Sequence, residues 1–263
     1  MTILQMTLPL PLASLLVTAG TYIMNDLEDA DLDRANGKKR PIPSGQVSKT
    51  QAWTFVLLAF GVAILLVALT GKPISLVIVT LMLAIGITYS MPKIALMKRF
   101  VIKTVSIACF YMLCALLGMT SAYNLDIAMK NPVLVIGVLL TLALMVFISS
   151  TLNDMGDVDG DKAAGRRTIP IVIGKDNTIK LTMGLAAGVL TVTWIFYVAG
   201  LPAGHSSLFS TITTSIVVSI VFMTLARIKK GFQNAEFMRS QHKKLFPLQM
   251  AMHPSIIIGA VMI

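Results

Sequence analysis

The chain is 263 residues long, 56% hydrophobic and only 13% charged, with 22 Lys and Arg against 12 Asp and Glu. A water-soluble domain ordinarily carries about 25% charged residues, so the composition excludes a soluble globular enzyme, and its apolar content excludes a disordered chain. The net charge of +10 is explained below by where the cations fall, and does not call for a nucleic-acid partner.

Eight apolar runs follow one another: 4–24, 52–70, 74–91, 104–122, 132–153, 179–200, 208–226 and 247–263. Each approaches the ~20 residues needed to cross about 30 Å of hydrocarbon. Runs of this length predict membrane-spanning helices, since a membrane barrel shows alternating segments of ~10 residues. The first run lacks a basic stretch before it and a small-residue cleavage site, so it reads as a span and not as a removable signal. Between the runs, loops 25–50, 92–103, 154–178 and 227–246, with Lys180, hold every Lys and Arg except Lys72 and Lys130. These loops alternate along the chain and therefore share one face, which the positive-inside rule makes cytoplasmic. The opposite connectors, 71–73, 122–131 and 200–206, are short. The expected architecture is all-α, a multi-pass transmembrane helical bundle of eight spans forming one domain over 1–263, with its chemistry on the cytoplasmic side.

Cys109 and Cys114 lie five positions apart on different faces of one run and read as packing residues. Gly184 and Gly188 form a small-xxx-small pair, which would permit close helix approach, although ordinary packing explains it equally. His205, His242 and His253 show no ligand spacing, and no Ser-His-Asp or Cys-His arrangement is apparent.

The acids carry the information. Of the 12, five fall at Asp26, Glu28, Asp29, Asp31 and Asp33, and four at Asp154, Asp157, Asp159 and Asp161. Each cluster follows an apolar run and is preceded by Asn, at Asn25 and Asn153. Asp26, Asp29 and Asp33 are spaced 0, 3, 7, and so are Asp154, Asp157 and Asp161. At about 100° per residue these positions lie within a ~60° arc of a helix, whereas Glu28, Asp31 and Asp159 point elsewhere. Like charges at such spacing repel, and ionisable groups at membrane depth are costly and usually functional. A shared divalent cation removes the penalty; Mg²⁺ takes one or two carboxylates plus substrate phosphates. The two columns, facing each other across a cavity, therefore predict a Mg²⁺-diphosphate site. Two solvated loops with incidental acids are the bland alternative, which the repeated spacing disfavours. A calcium loop starting at Asp157 fails at its twelfth position, Thr168, where a bidentate Glu is required.

Cations flank both clusters: Lys38, Lys39 and Arg40 before Pro41-Ile42-Pro43-Ser44-Gly45, and Lys162, Arg166 and Arg167 before Thr168. The loop between them adds Tyr89, Lys93, Lys98 and Arg99. Membrane anchoring accounts for many of these, and Arg in particular suits phosphate geometry.

These residues resemble the UbiA superfamily of intramembrane prenyltransferases. Asn25, Asp26, Asp29 and Asp33 match its NDxxDxxxD signature, and Arg40, Pro41, Pro43, Ser44 and Gly45 match the trailing RPxPSG. Asp154, Asp157, Asp161, Gly165, Arg167 and Thr168 match the second signature, and Tyr89 with Lys93 matches a YxxxK motif. The resemblance covers essentially the whole chain. It implies nine spans around a central cavity open to lipid, and Mg²⁺-dependent transfer of a prenyl group from a prenyl diphosphate to a hydrophobic acceptor. It further implies metal ligation by Asn25, Asp29, Asp157 and Asp161, with Asp26, Asp33 and Asp154 close behind. Tyr89, Lys93 and Arg40 then hold the diphosphate or the developing cation. Lys98, Arg99, Lys162 and Arg166 remain as further substrate-binding cations. The second signature looks most like the family's ether-lipid branch, whose acceptor is a lipid glycerol phosphate; an aromatic acceptor is the alternative. The expected partners are these substrates and the bilayer, with no protein partner inferred. The first signature begins at residue 25 and leaves room for one preceding helix where family members usually carry two. From a different class, a cation transporter is the rival, but no run carries charge at its centre.

Overall fold

The computed structural model describes residues 8–35, 40–122, 132–200 and 208–231, with scattered positions between 237 and 247. Among the described residues the regular structure is helical throughout. The chain falls into two compact units, Met1–Ala128 and Met129–Ile263.

The first unit contains α1 (Pro9–Glu28), α2 (Ala30–Ala35), α3 (Lys49–Leu69), α4 (Pro73–Ser90), a 3₁₀ turn at Leu96–Lys98, and α5 (Ile102–Ala122). Local chemistry sets several of these boundaries. Pro9 and Pro73 stand in the first turns of α1 and α4, where a missing N–H costs nothing. Ser48 caps α3 in a reciprocal capping box with Gln51, satisfying two otherwise orphaned donors. Helix α1 packs against α3, α4 and α5. Leu10, Ala13 and Val17 on α1 close a core with Ala63, Val67, Ile78, Val79, Met82 and Leu117. Gly20 and Gly86 permit the tightest approaches, because a Cβ at either would collide with Phe60 or Thr21 respectively.

The second unit contains α6 (Pro132–Gly156), α7 (Val158–Ala163), α8 (Ile169–Ile173), α9 (Lys175–Gly200) and α10 (Leu208–Gly231). Helix α9 packs between α6 and α10, burying Ile148, Leu152, Ile179, Ala186, Val189, Val218, Val221 and Leu225. Gly137 meets Phe196, whereas among the described residues nothing stands within 4 Å of a Cβ placed at Gly184 or Gly188. The small-xxx-small pair of α9 is thus not where helices approach closely.

Among the described residues, six helical stretches are long and apolar enough to cross a membrane: Lys49–Leu69, Pro73–Ser90, Ile102–Ser121, Val135–Gly156, Lys175–Gly200 and Leu208–Lys230. They coincide with six of the eight predicted runs. The run 4–24 is helical as α1 from Pro9 onward but is not among the six, and it carries Ser14, Thr18, Thr21 and Tyr22 along its length. The run 247–263 lies outside the described residues but for Pro247. Leu57, Leu58, Leu65, Leu69, Ile195 and Val198 are exposed, as expected of helices whose outer surface meets hydrocarbon, where apolar side chains need no burial in protein.

Candidate functional site: two broken helix ends

Both acidic signatures sit where a long helix breaks. Helix α1 ends at Glu28, Asp29 takes φ −85° and ψ 0°, and α2 resumes at Ala30. Helix α6 ends at Gly156, Asp157 takes φ −115° and ψ 12°, and α7 resumes at Val158. The middle acid of each column is therefore a hinge residue in the sparsely populated bridge region. This corrects the expectation of one uninterrupted helical column. Acids stacked at a helix C-terminus repel one another and meet the negative end of its dipole, so the helix yields at the centre of the cluster.

The break is shallow, and the helical phase survives it. Asp29 N–H donates to Asn25 O at 2.9 Å and Asp33 N–H to Asp29 O at 2.8 Å. Asp157 N–H donates to Asp154 O at 3.2 Å and Asp161 N–H to Asp157 O at 2.8 Å. The predicted face accordingly turns inward. Asp33, Asp154 and Asp161 are buried and Asp26, Asp29 and Asp157 half-buried, whereas Glu28, Asp31 and Asp159 are exposed.

In the first unit the segment after α2 folds back on this face. Ile42 is buried with Leu27, Ala30 and Ala52. Gly45 at φ +79° closes the turn, a conformation Gly adopts without a Cβ penalty. Ser44 N–H bonds Arg40 O and Val47 N–H bonds Pro41 O. The result returns Arg40 to the acids: its Nη1 lies 2.6 Å from Asp26 Oδ1 and 2.9 Å from Asp33 Oδ2. Burial, the larger influence, pushes the Asp26 carboxyl above its ordinary range; Arg40 opposes the shift, and neighbouring Asp33 and Asp29 add to it. Arg34 pairs with exposed Asp31 on the outer face, a contact of little energetic weight.

The loop after α4 reaches the same place. Asn25 Nδ2 donates to Met97 Sδ at 3.2 Å, so the 3₁₀ turn orients this amide and leaves its Oδ1 as the atom suited to a cation. Asn25 and Tyr89 line a half-open cleft of about 120 Å³ with Thr18, Thr21, Tyr22 and Ile85. Helix α5 completes the wall with Ser106, Ile107, Phe110 and Tyr111, and the hydroxyls of Tyr22 and Tyr111 are 3.3 Å apart. Of these lining residues the sequence motifs single out Asn25 and Tyr89; Tyr111 and Ser106 belong to no motif, although Ser106, Ile107 and Phe110 follow a helical-face spacing. Lys93, Lys98 and Arg99 are exposed, and Arg99 Nε donates to Ile94 O at 3.0 Å within its own loop.

In the second unit a different device brings an arginine back. Helix α7 ends in a Schellman turn: Gly165 at φ +69° donates to Lys162 O, and Arg166 N–H donates to Asp161 O at 2.9 Å, the paired bonds that satisfy a helix's last carbonyls. This reversal sets Arg166 Nη1 3.3 Å from Asp161 Oδ1, with both side chains largely buried. Lys162 and Arg167 are exposed. Thr168 is buried, and among the described residues its hydroxyl has no hydrogen-bond partner.

Within the first unit, then, Asn25, Asp26, Asp33, Arg40 and Tyr89 converge, and within the second Asp161 and Arg166 do; the loop cations Lys93, Lys98, Arg99 and Lys162 remain on the surface. The donor set fits a hard cation, being made of carboxylate and amide oxygens. Among the described residues no group of three His, Cys, Asp or Glu is already assembled around a metal position. Arginine satisfies part of the acids' demand for positive charge in both units.

Comparison with known proteins gives a consistent picture. Residues 3–244 match the UbiA prenyltransferase family. The chain is 31% identical over 202 residues to the digeranylgeranylglyceryl phosphate synthase of Methanoculleus marisnigri, covering 71% of this chain and 66% of that protein. It is 29% identical over 203 residues to the protein of that name from Methanopyrus kandleri, covering 73% and 71%. The chain thus spans about two-thirds of the length of the curated relatives it matches. Among solved structures, an apo UbiA homolog from Aeropyrum pernix K1 superposes with TM-score 0.71 at 20% identity, covering 100% of this chain and 98% of that one. A UbiA homolog from Archaeoglobus fulgidus bound to GPP and Mg²⁺ superposes with TM-score 0.64 at 14% identity, covering 95% and 96%.

Proposed function

This chain belongs to the UbiA prenyltransferase family, and from that premise we propose that it transfers a geranylgeranyl group from its diphosphate to a lipid glycerol phosphate, in the bilayer and with Mg²⁺. The observation that carries the reading is the repeated break at Asp29 and Asp157, where each unit holds an inward-facing set of carboxylates against an arginine. The likeness to glycerol phosphate synthases supports the acceptor, and the A. fulgidus homolog's GPP and Mg²⁺ support the donor and the metal.

In this reading Asn25, Asp29, Asp157 and Asp161 hold Mg²⁺, with Asp26, Asp33 and Asp154 adjusting its surroundings. When bound, Mg²⁺ supplies positive charge to the departing diphosphate, stabilising the transition state electrostatically. Arg40 binds a diphosphate oxygen, and it does so already held at the acids by the Ile42 turn. Lys93, Lys98, Arg99 and Lys162 provide further positive charge for the two phosphate-bearing substrates, while Arg166 first balances Asp161. The Tyr89 ring flanks the allylic carbon as it becomes cationic, where an aromatic face is attractive to charge. Ile85, Ile107 and Phe110 exclude water that would quench that carbon. The acceptor hydroxyl attacks C1, its O–C bond forms as the C1–O bond to diphosphate breaks, and its proton passes to a carboxylate or to diphosphate. By the positive-inside rule, the cation-rich loops support a site that faces the cytoplasm.

The test is prenyl transfer by the membrane-reconstituted chain, with geranylgeranyl diphosphate and geranylgeranylglyceryl phosphate, with Mg²⁺ or with EDTA. Metal-dependent diphosphate release and a doubly alkylated glycerol phosphate are expected. Prenylation of 4-hydroxybenzoate with the glycerol phosphate untouched would overturn the acceptor assignment.

A further inference from the structure

The cleft beside Asn25 and Tyr89 is crossed by two tyrosines that belong to no signature, Tyr22 on α1 and Tyr111 on α5, their hydroxyls 3.3 Å apart. Tyrosines of membrane-spanning helices gather at the two interfaces, where the hydroxyl reaches water. Tyr111 is instead the tenth of the 21 residues of α5, at mid-span, so anchoring does not explain it. A phenol at that depth is costly without a hydrogen-bond partner, and Tyr22 supplies one. Helical side chains lean toward the N-terminus of their own helix. Helix α1 runs toward the acids and α5 away from them, so Tyr22 leans away from Asn25, Tyr111 leans back toward it, and the rings meet across the cleft. Phe110 braces the Tyr111 ring edge-on, with centroids 6.4 Å apart, and is itself buried with Val17 and Leu117. The far limit of the lining on α1 is Thr18, seven residues or about 10 Å of helix rise from Asn25. An isoprene unit has four chain bonds and spans roughly 5 Å when extended, on the reckoning that gives ~3.5 Å for the three bonds of an amino-acid residue. The cleft thus takes about two units, half of a geranylgeranyl tail. The rest leaves by the half-open side, where Tyr22 is 59% exposed.

We propose that the Tyr22–Tyr111 bridge selects the length of the donor's prenyl tail, by supporting the isoprene units beyond the second. This rests on the prenyl-transfer reading above and deepens it. The paired hydroxyls fix both rings, and the open face of Tyr22 offers apolar surface that only a long tail reaches and covers. A ten-carbon tail ends inside the cleft and gains nothing from that surface. The tail is the donor's because the cleft begins at Asn25 and Tyr89, beside the acids proposed to hold the metal and diphosphate.

The full chain and its Tyr22→Ala, Tyr111→Ala and Tyr111→Phe variants are reconstituted in lipid vesicles. Two readouts are taken: kcat/KM for geranyl and geranylgeranyl diphosphate with one acceptor, and the rise in unfolding temperature produced by geranyl and geranylgeranyl monophosphate. The ratio of kcat/KM for the long donor over the short one is expected to fall about tenfold or more in Tyr22→Ala and Tyr111→Ala. Tyr111→Phe, which keeps the ring and loses the bridge, is expected to fall between parent and Tyr111→Ala. Should an Ala variant not fold, Tyr22→Leu and Tyr111→Leu carry the same two readouts. A ratio within about twofold of the parent, or one that rises, overturns the proposal, as does an equal loss for both donors, which marks a purely structural bridge. A length effect confined to the acceptor's tail, with the donor held constant, also overturns it. If the parent transfers no prenyl group, the functional reading fails; a greater stabilisation by the long monophosphate in the parent, lost in Tyr22→Ala, still sustains tail selection by the bridge. Equal stabilisation by both monophosphates in such a parent overturns it.

Discussion

The two acidic signatures share one spacing but are closed by different means. In the first unit a hydrophobic plug, Ile42 against Leu27, Ala30 and Ala52, carries Arg40 back over seven residues of chain onto a half-open carboxylate face. The Arg40 side chain stays 43% exposed. In the second unit a single Schellman turn at Gly165 does the work over five residues, and Arg166 is 12% exposed against an Asp161 that is 8% exposed. The first arginine is thus held by tertiary packing yet remains accessible, and the second is held by backbone geometry and sealed in. An accessible cation can exchange partners when a ligand arrives. A sealed one is part of the scaffold, because leaving its carboxylate uncompensated is costly. The proposed substrate role therefore suits the accessible Arg40 better than Arg166, which is paired with Asp161 in a largely buried contact.

Four groups of substitutions break or sharpen this contrast. The largest effect is expected at the hinge acids, where Asp29→Ala or Asp157→Ala lowers prenyl transfer by about 100-fold or more while membrane insertion and folding persist. Activity within about threefold of the parent in both variants sinks the two-cluster hypothesis. Next come the arginines. Arg166→Ala is expected to destabilise the fold by about 3 kcal/mol, and Arg40→Ala by less, because the more exposed Arg40 shares its guanidinium between half-buried Asp26 and buried Asp33, with the greater rise in KM for the diphosphate. Unfolding midpoints in detergent, measured beside KM, check both, and equal destabilisation would remove the distinction between scaffold and substrate cation.

A smaller effect tests the turns. Gly165→Ala and Gly45→Ala have nothing within 4 Å to obstruct a Cβ, so each carries only the left-handed backbone penalty of about 1–2 kcal/mol. Calorimetry of the two variants should give similar losses, and a much larger one at Gly165 would reveal a packing role for that turn. The smallest effect belongs to the outward acids. Glu28→Gln, Asp31→Asn and Asp159→Asn are expected to retain most activity. An Asp159→Asn variant as damaged as Asp157→Asn would show that the helical phase of α7 does not persist when substrate is bound.

Much of this was legible in the residues. Span positions followed from the length of the apolar runs, and six of the helices lie where those runs predicted. The inward and outward acids were also separable by phase alone, as Asp33 and Asp161 against Asp31 and Asp159 illustrate. The breaks at Asp29 and Asp157 were not foreseen, because angular phase is blind to the repulsion that interrupts the helix at the centre of each cluster. Nor did α1 behave as a uniform apolar span: its Thr18, Thr21, Tyr22 and Asn25 line a cleft whose other wall comes from α4 and α5.

By itself the sequence determined whatever depends on local period and composition: an all-helical membrane chain, its charge asymmetry, the carboxylate face of each helix end, and the family signatures. Only the tertiary structure decided which cation meets which carboxylate. Of Lys93, Lys98, Arg99 and Lys103, adjacent in sequence and alike in charge, three lie on the surface and one is buried. Arg40 reaches Asp26 and Asp33 only because Ile42 finds a pocket beneath it. The physical reason is that Coulomb attraction is indifferent to sequence distance and a charged chain offers many pairings of similar energy. Burial of a few apolar side chains, at roughly 25 cal/mol per Å², chooses among those pairings, and that choice exists only once the helices have packed.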